Sequence, residues 1–263
     1  MIDIQQEKDL RGIYINKVGI RAYVHPIKIK SLEGIYQDTV SNTNIYVDLE
    51  PNMRAIHMSR LIETLNSNEC VVDFVSIEKM LDYIISLMES QYAQIEMHFP
   101  YFIKKEAPIS KKTGVVSYDC VIYATKQRDK NYNIKIQVAI PIISVCPCSK
   151  AISNSGAHNQ RGLIIIKCQI DTDINIESII RCTEKAASAE IFSLLKRVDE
   201  KYVTESSYEN AKFVEDIVRD AWLNLKQLKF VRPVSISVEN YESIHNHNAY
   251  AEIIYDGGIQ NDL

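Results

Sequence analysis

No stretch of this chain approaches the ~18 consecutive apolar residues of a membrane-spanning helix, so a transmembrane protein is not expected. The opening Met1-Ile-Asp-Ile-Gln-Gln-Glu-Lys-Asp9 lacks the basic-then-apolar pattern of an export signal. The expectation is a cytoplasmic, reducing setting, where cysteines serve as thiols or metal ligands rather than disulfides. Neither sign of charge dominates. A net charge of −4 and a pI near 5.9 give no global attraction to nucleic acid or an anionic membrane. Any anionic ligand must then be held by a local basic cluster. Cys70, Cys120, Cys168 and Cys182 stand singly, with no small-scaffold framework. No Gly/Ser linker, low-complexity segment or residue-level repeat divides the chain.

What is present is ordinary globular material. The 263 residues are 46% hydrophobic and 24% charged, enough for one large domain or two small ones. Residues 18–29 and 43–49 are extended runs. Residues 54–65 are expected to be helical, and so are residues 76–91. In the latter Ile77, Leu81, Ile84 and Met88 recur at helical spacing behind Ser76 as N-cap. Residues 93–103 and 115–124 are extended again, and residues 133–140 alternate as a half-buried strand.

The order then repeats. A strand over 163–170 leads to a long helix over 176–197 and a second over 210–229. Strands over 234–238 and 249–255 close the chain around a polar loop over 239–248. This succession places a division near residue 130.

Four clusters carry chemistry. In Ser144-Val-Cys-Pro-Cys-Ser-Lys150 two cysteines flank a proline, and His158 follows in Gly156-Ala-His-Asn-Gln-Arg161. With no second cysteine pair, a four-ligand structural zinc site is not visible. A redox pair, a nucleophile and a metal ligand working with His158 all remain open. The plainer reading is two buried thiols and a surface histidine.

The loop Glu239-Asn-Tyr-Glu-Ser-Ile-His-Asn-His-Asn-Ala249 holds two histidines and two glutamates. His245 or His247 suits acid–base work near neutral pH. A solvated hairpin loop is the common alternative.

Arg54, His57 and Arg60 would share one helical face and suit a polyphosphate. A solvated basic face is the alternative. Asp199-Glu200 falls at the end of one expected helix and Glu215-Asp216 near the start of the next, where charges usually cap. Glu215 lies in a largely apolar helix. One partly buried carboxylate there could accept both N1–H and the 2-amino group of a guanine edge.

Together these stretches resemble the type IB GTP cyclohydrolases. The text that carries the resemblance is Arg54…His57-Met-Ser-Arg60, Cys146-Pro-Cys-Ser-Lys150, Gly156-Ala-His-Asn-Gln-Arg161, Val203-Thr-Glu205, Phe213-Val-Glu-Asp216 and Glu242-Ser-Ile-His245. The resemblance runs from Lys17-Val-Gly19 to the final strand. It implies an α+β tunnelling fold, with ββααββ modules in tandem over 1–130 and 131–263 and antiparallel sheets bearing paired helices on one face. The second module would carry most metal and catalytic residues. It implies homotetramers with active sites at subunit junctions, and conversion of GTP and water to formate and 7,8-dihydroneopterin triphosphate.

The resemblance also assigns roles. Cys146, His158 and Glu200 match metal ligands, leaving a position open for water. One divalent metal per site, zinc, manganese or iron(II), is compatible with that set. Glu215 matches the guanine anchor. Cys146, Cys148, Glu242 and His245 match catalytic positions, with His245 the proton-transfer group. Arg54, His57 and Arg60, with Lys150 or Arg161, would neutralise the triphosphate.

Three positions depart from the family's usual text. Ala55-Ile56 replaces Gly-Thr, Gly162 replaces serine, and Asn248 replaces aspartate. Rival readings are a cyclohydrolase releasing a cyclic phosphate, a tunnelling-fold nitrile reductase, a non-catalytic zinc-stabilised module and a redox protein.

Overall fold

A computed structural model describes residues 4–30, 34–66, 71–173, 175–229 and 231–255. Cys70 lies outside them. The strands are β1 (Ile15–Lys30), β2 (Tyr36–Leu49), β3 (Val71–Val72), β4 (Tyr92–Glu106), β5 (Thr113–Gln127), β6 (Asn133–Val145), β7 (Asn159–Ile170), β8 (Ala189–Glu190), β9 (Val231–Asn240) and β10 (Ala249–Ile254). The helices are α1 (Met58–Asn66), α2 (Phe74–Met88), α3 (Pro147–Ile152), α4 (Ile176–Glu184), α5 (Arg197–Glu209) and α6 (Val214–Lys226). The fold is α+β. Two strands, two helices and two strands run from β1 to β5 with the short β3 between the helices, and the same order returns from β6 to β10 with α3, β8 and α5 added. Among the described residues no helix is long and apolar enough to cross a membrane.

The chain forms two compact units. One comprises Met1–Pro100, Val121–Ile136 and Ile170–Ile174, the other Tyr101–Cys120, Gln137–Gln169 and Asn175–Leu263. The long strands β4, β5 and β6 contribute residues to both.

In the first unit β1 pairs antiparallel with β2, β2 with β4, and β3 lies parallel to β1. Strand alternation turns Ile27, Ile29, Ile45, Val47, Ile95 and Met97 into the core. There they meet α1 and α2, which bury Leu61, Leu65, Ile77, Leu81 and Ile84. Gly19 is required where β1 crosses β2, because a Cβ there would sit 1.9 Å from the Ile45 carbonyl oxygen. The N-cap of α2 is Asp73 rather than Ser76. Its carboxylate accepts the Ser76 amide at 2.7 Å, so the helix begins two residues earlier than its apolar spacing suggests.

The second unit orders its strands β10-β9-β7-β6-β5-β4, with β8 beside β6. Ile140, Ile142, Ile164, Ile166, Ile236 and Val238 are buried on one face. Helices α4 and α6 pack together, and α6 covers β9 and β10. Full burial of each such side chain is worth about 1.5–3 kcal/mol. This unit also buries an ion cluster. Lys105 Nζ lies 2.9 Å from Glu184 and 2.7 Å from Glu190, and Tyr118 donates its hydroxyl to Glu184 at 2.5 Å.

Three expected helices are shorter than their sequence pattern. The helix expected over 54–65 starts at Met58, because residues 52–56 are taken up by the N-terminal segment. Lys8 bridges Met53, the Asp9 amide donates to Asn52, and the Gln5 amide donates to the Ile56 carbonyl at 3.0 Å. Arg54, His57 and Arg60 therefore do not share a helical face.

The helix expected over 176–197 stops at Glu184. Lys212 takes the Ala186 carbonyl and Asn210 takes those of Ala187 and Ser188, carbonyls a continuing helix would have used. Residues 189–190 then pair with Ile142 and Ile143 of β6. Asp199-Glu200 consequently opens α5 instead of closing a helix. The helix expected over 210–229 begins at Val214, since Asn210 caps the end of α5 and Lys212 bonds the Val145 carbonyl.

Candidate active site

Three neighbouring strands of the second unit, β6, β7 and β9, deliver Cys146, His158 and Glu242 at their ends. β6 ends at Val145, and Cys146 N-caps α3, its sulfur accepting the Ser149 amide at 3.4 Å. The Cys146 amide donates to the His158 carbonyl at 3.1 Å. The Ser149 hydroxyl receives the His158 amide at 3.2 Å and donates to the Cys146 carbonyl at 3.1 Å. The cysteine loop and the start of β7 are thus locked backbone to backbone. Pro147 suits the first helical turn, where its missing N–H costs nothing.

His158 is held from one side. Its Nδ1 lies 2.9 Å from Oε1 of Gln160 and 3.7 Å from Oε2 of Glu242, which follows β9. Gln160 Nε2 in turn donates to Glu242 at 3.4 Å. An amide oxygen and a carboxylate both accept, so Nδ1 carries a proton, and in the neutral ring Nε2 is then the nitrogen that offers a lone pair. A histidine oriented in this way, beside a cysteine, is what a metal ligand requires of its surroundings. The rings of His158 and His245 stand edge to face at 6.4 Å, and His245 stacks on His247 at 5.1 Å. Both loop histidines are exposed.

The remaining expected residues lie as follows. Cys148 is exposed in α3. Glu200 is exposed in the first turn of α5, and among the described residues no group of three His, Cys, Asp or Glu side chains closes around a common point. In kind, the thiol of Cys146, the imidazole of His158 and the carboxylate of Glu200 fit a divalent metal.

Glu215 is exposed rather than partly buried, because α6 turns Val214, Ile217, Val218 and Ala221 inward. Lys150 is committed to the carbonyls of Tyr208 and Glu209 at the end of α5. The Arg161 side chain is exposed on β7. Arg54, His57 and Arg60 belong to the first unit. There Arg54 pairs with Glu7, and His57 and Arg60 line a cleft of about 490 Å³.

Beside Cys146 and His158 a second cleft, of about 410 Å³, is lined by Val145, Gly156, Ala157 and Asn159 and by Thr204 and Tyr208 of α5. That volume suits a small-molecule ligand. Asp199 fixes the α5 side. Fully buried, it accepts the Ile109, Ser110 and Lys196 amides and the Ser110 hydroxyl.

The family model described as type I GTP cyclohydrolase FolE2 matches residues 1–251. The chain belongs to the FolE2 family of GTP cyclohydrolases. Relatives named GTP cyclohydrolase FolE2 include one from Azoarcus sp. (strain BH72), 43% identical over 258 residues that cover 98% of this chain and 96% of the relative. The Thermotoga maritima relative is 45% identical over 251 residues, 95% of this chain and 96% of its own. Among solved structures, uricase from Arthrobacter globiformis superposes with a TM-score of 0.48 and 8% identity, over 93% of this chain and 95% of that one. Likeness at that level carries no functional argument.

The departures from FolE2-type text have local explanations. A Cβ at Gly162 would lie 2.7 Å from Oδ1 of Asn240 and 3.1 Å from the Glu239 carbonyl oxygen, so glycine suits the present packing. Asn248 donates its amide to Glu239 at 2.7 Å, where an aspartate would set carboxylate against carboxylate. Ile56 is buried, an apolar filler next to the Arg54 segment.

Two residues of the site carry no role from sequence alone. Gln160 links His158 to Glu242, and its i, i+2 spacing from His158 on an extended segment was the available signal. Asn240 left no such signal, since its importance depends on β6 and β7 lying beside it.

Proposed function

We propose that this protein is a GTP cyclohydrolase I, a hydrolase converting GTP and water to 7,8-dihydroneopterin triphosphate and formate. That reaction opens pterin and tetrahydrofolate synthesis. The observation that carries the reading is the Gln160- and Glu242-held His158, its backbone bonded to that of Cys146, in a FolE2-family chain.

Cys146, His158 and Glu200 would hold one divalent metal, either zinc, manganese or iron(II). When bound it supplies the Lewis acidity that activates water at neutral pH. Glu215 accepts N1–H and the 2-amino group of guanine and so orients the purine toward Cys146 and Cys148. His245, with Glu242 nearby, moves protons during C–N cleavage and ribose opening. Arg54, His57 and Arg60, with Lys150 or Arg161, would neutralise the triphosphate.

A homotetramer with sites at subunit junctions accounts for the exposure of Glu200, Glu215 and His245 in a single chain, because a second copy completes the pocket. The repeated element order is read as tandem tunnelling-fold modules over 1–130 and 131–263, working in the cytoplasm.

Anaerobic incubation of metal-stripped protein with GTP and added zinc, manganese or iron(II) tests the reaction. Formate and, after oxidation, a fluorescent pterin are expected. A product mass retaining a cyclic phosphate, or no formate with any metal, would overturn it. Light scattering on the eluted protein tests the tetramer.

A further inference from the structure

Asn240, the last residue of β9, is 3% exposed and reaches over a neighbouring strand. Its Nδ2 donates to the hydroxyl of Ser144 on β6 at 2.9 Å, and Ser144 is 1% exposed. Between them runs β7. Gly162 of β7 makes the crossing possible, since a Cβ there would approach Oδ1 of Asn240 to 2.7 Å. That Oδ1 is buried without a hydrogen-bond partner. An unmade bond on a buried carbonyl is a cost that packing alone does not require, because an apolar side chain would fill the space without it.

The ends of the strap are informative. Ser144 lies two residues before Cys146, Gly162 two after Gln160, and Asn240 two before Glu242. Beyond Asn240 the chain stays attached to the site. The Tyr241 amide donates to the Arg161 carbonyl at 2.9 Å, and the Glu242 amide to the Asn240 carbonyl at 3.0 Å.

We infer that Asn240 is a positioning residue, strapping β9 to β6 across Gly162 of β7 and thereby holding Glu242 in register with Gln160 and His158. The inference rests on the site reading above. Small displacements of groups around a reacting centre cost rate far more than affinity.

Two variants test it. Asn240→Leu removes the amide at similar volume, and Ser144→Ala removes its partner together with a long 3.5 Å hydroxyl contact to the Lys212 carbonyl. Both are expected to lower kcat for formate release about tenfold or more per metal-loaded site, with KM for GTP within about twofold. Crystal structures of both variants should show the Glu242 carboxylate withdrawn from His158 with the core unchanged. A lower Tm with unchanged kcat and unchanged Glu242 geometry would reduce Asn240 to a packing residue and overturn the inference. If the unaltered protein releases no formate, the proposed function fails, and the structural comparison still decides the strap.

Discussion

The Glu242 carboxylate stands 3.7 Å from Nδ1 of His158, and Gln160 touches both. The histidine is therefore anchored on Nδ1, with Nε2 left to bind. Glu242→Gln keeps the shape and removes the charge. Loss of such an outer partner weakens metal retention by about 10–100-fold. Competition with a coloured chelator would measure it, and unchanged retention would remove Glu242 from this role.

Cys146→Ala and Glu215→Ala are expected to fail differently. The cysteine variant should lose metal-dependent turnover at every GTP concentration. The glutamate variant should keep its metal but lose roughly 10- to 150-fold in kcat/KM, the value of one hydrogen-bonded carboxylate. Discrimination between GTP and ITP, which lacks the 2-amino group, should shrink with it. Metal analysis and steady-state kinetics on both variants separate the roles. Full activity of Cys146→Ala would end the ligand assignment.

Acid stability should depend on Asp199. Burial opposes its ionisation, but hydrogen bonds from Ser110, Lys196 and Ile109 outweigh that and hold its carboxyl well below the ordinary 3.8. The folded form thus binds the proton less readily than the unfolded chain. The stabilisation is complete above the ordinary value and is lost as pH falls through the depressed one. Asp199→Asn should flatten the fall in Tm below about pH 5. An acid limb as steep as that of the unaltered protein would contradict the assignment.

Lys105 should matter more to folding than any surface cation. Its ammonium sits between Glu184 and Glu190 and over the Phe192 ring at 4.8 Å. Lys105→Met leaves carboxylates without their cation and is expected to cost about 3–5 kcal/mol. Urea denaturation would show it as a lower midpoint. Lys201, whose ammonium and partner Glu205 are both solvent-exposed, should shift stability by less than about 1 kcal/mol when removed.

Strand periodicity was readable in the long strands, though not in the two-residue β3 and β8. Ile134, Ile136, Val138 and Ile140 alternate into the core of β6 as their spacing requires. Helix limits were less readable. Apolar residues continue past Glu184 at helical spacing, yet Lys212 and Asn210 claim the next carbonyls and β6 claims the next pair of residues. The basic trio shows the same limit. Arg54, His57 and Arg60 have one-face spacing only if the segment is helical, and pairing with the N-terminal residues prevents that.

The sequence by itself determined the succession of strands and helices, the cysteine–histidine motif and the family, because each depends on residues near one another in the chain. The tertiary structure alone decided that Gln160 joins His158 to Glu242 and that Asn240 spans β7 to Ser144. Those contacts link positions 82 and 96 residues apart. Strand pairing, not local preference, brings such positions together.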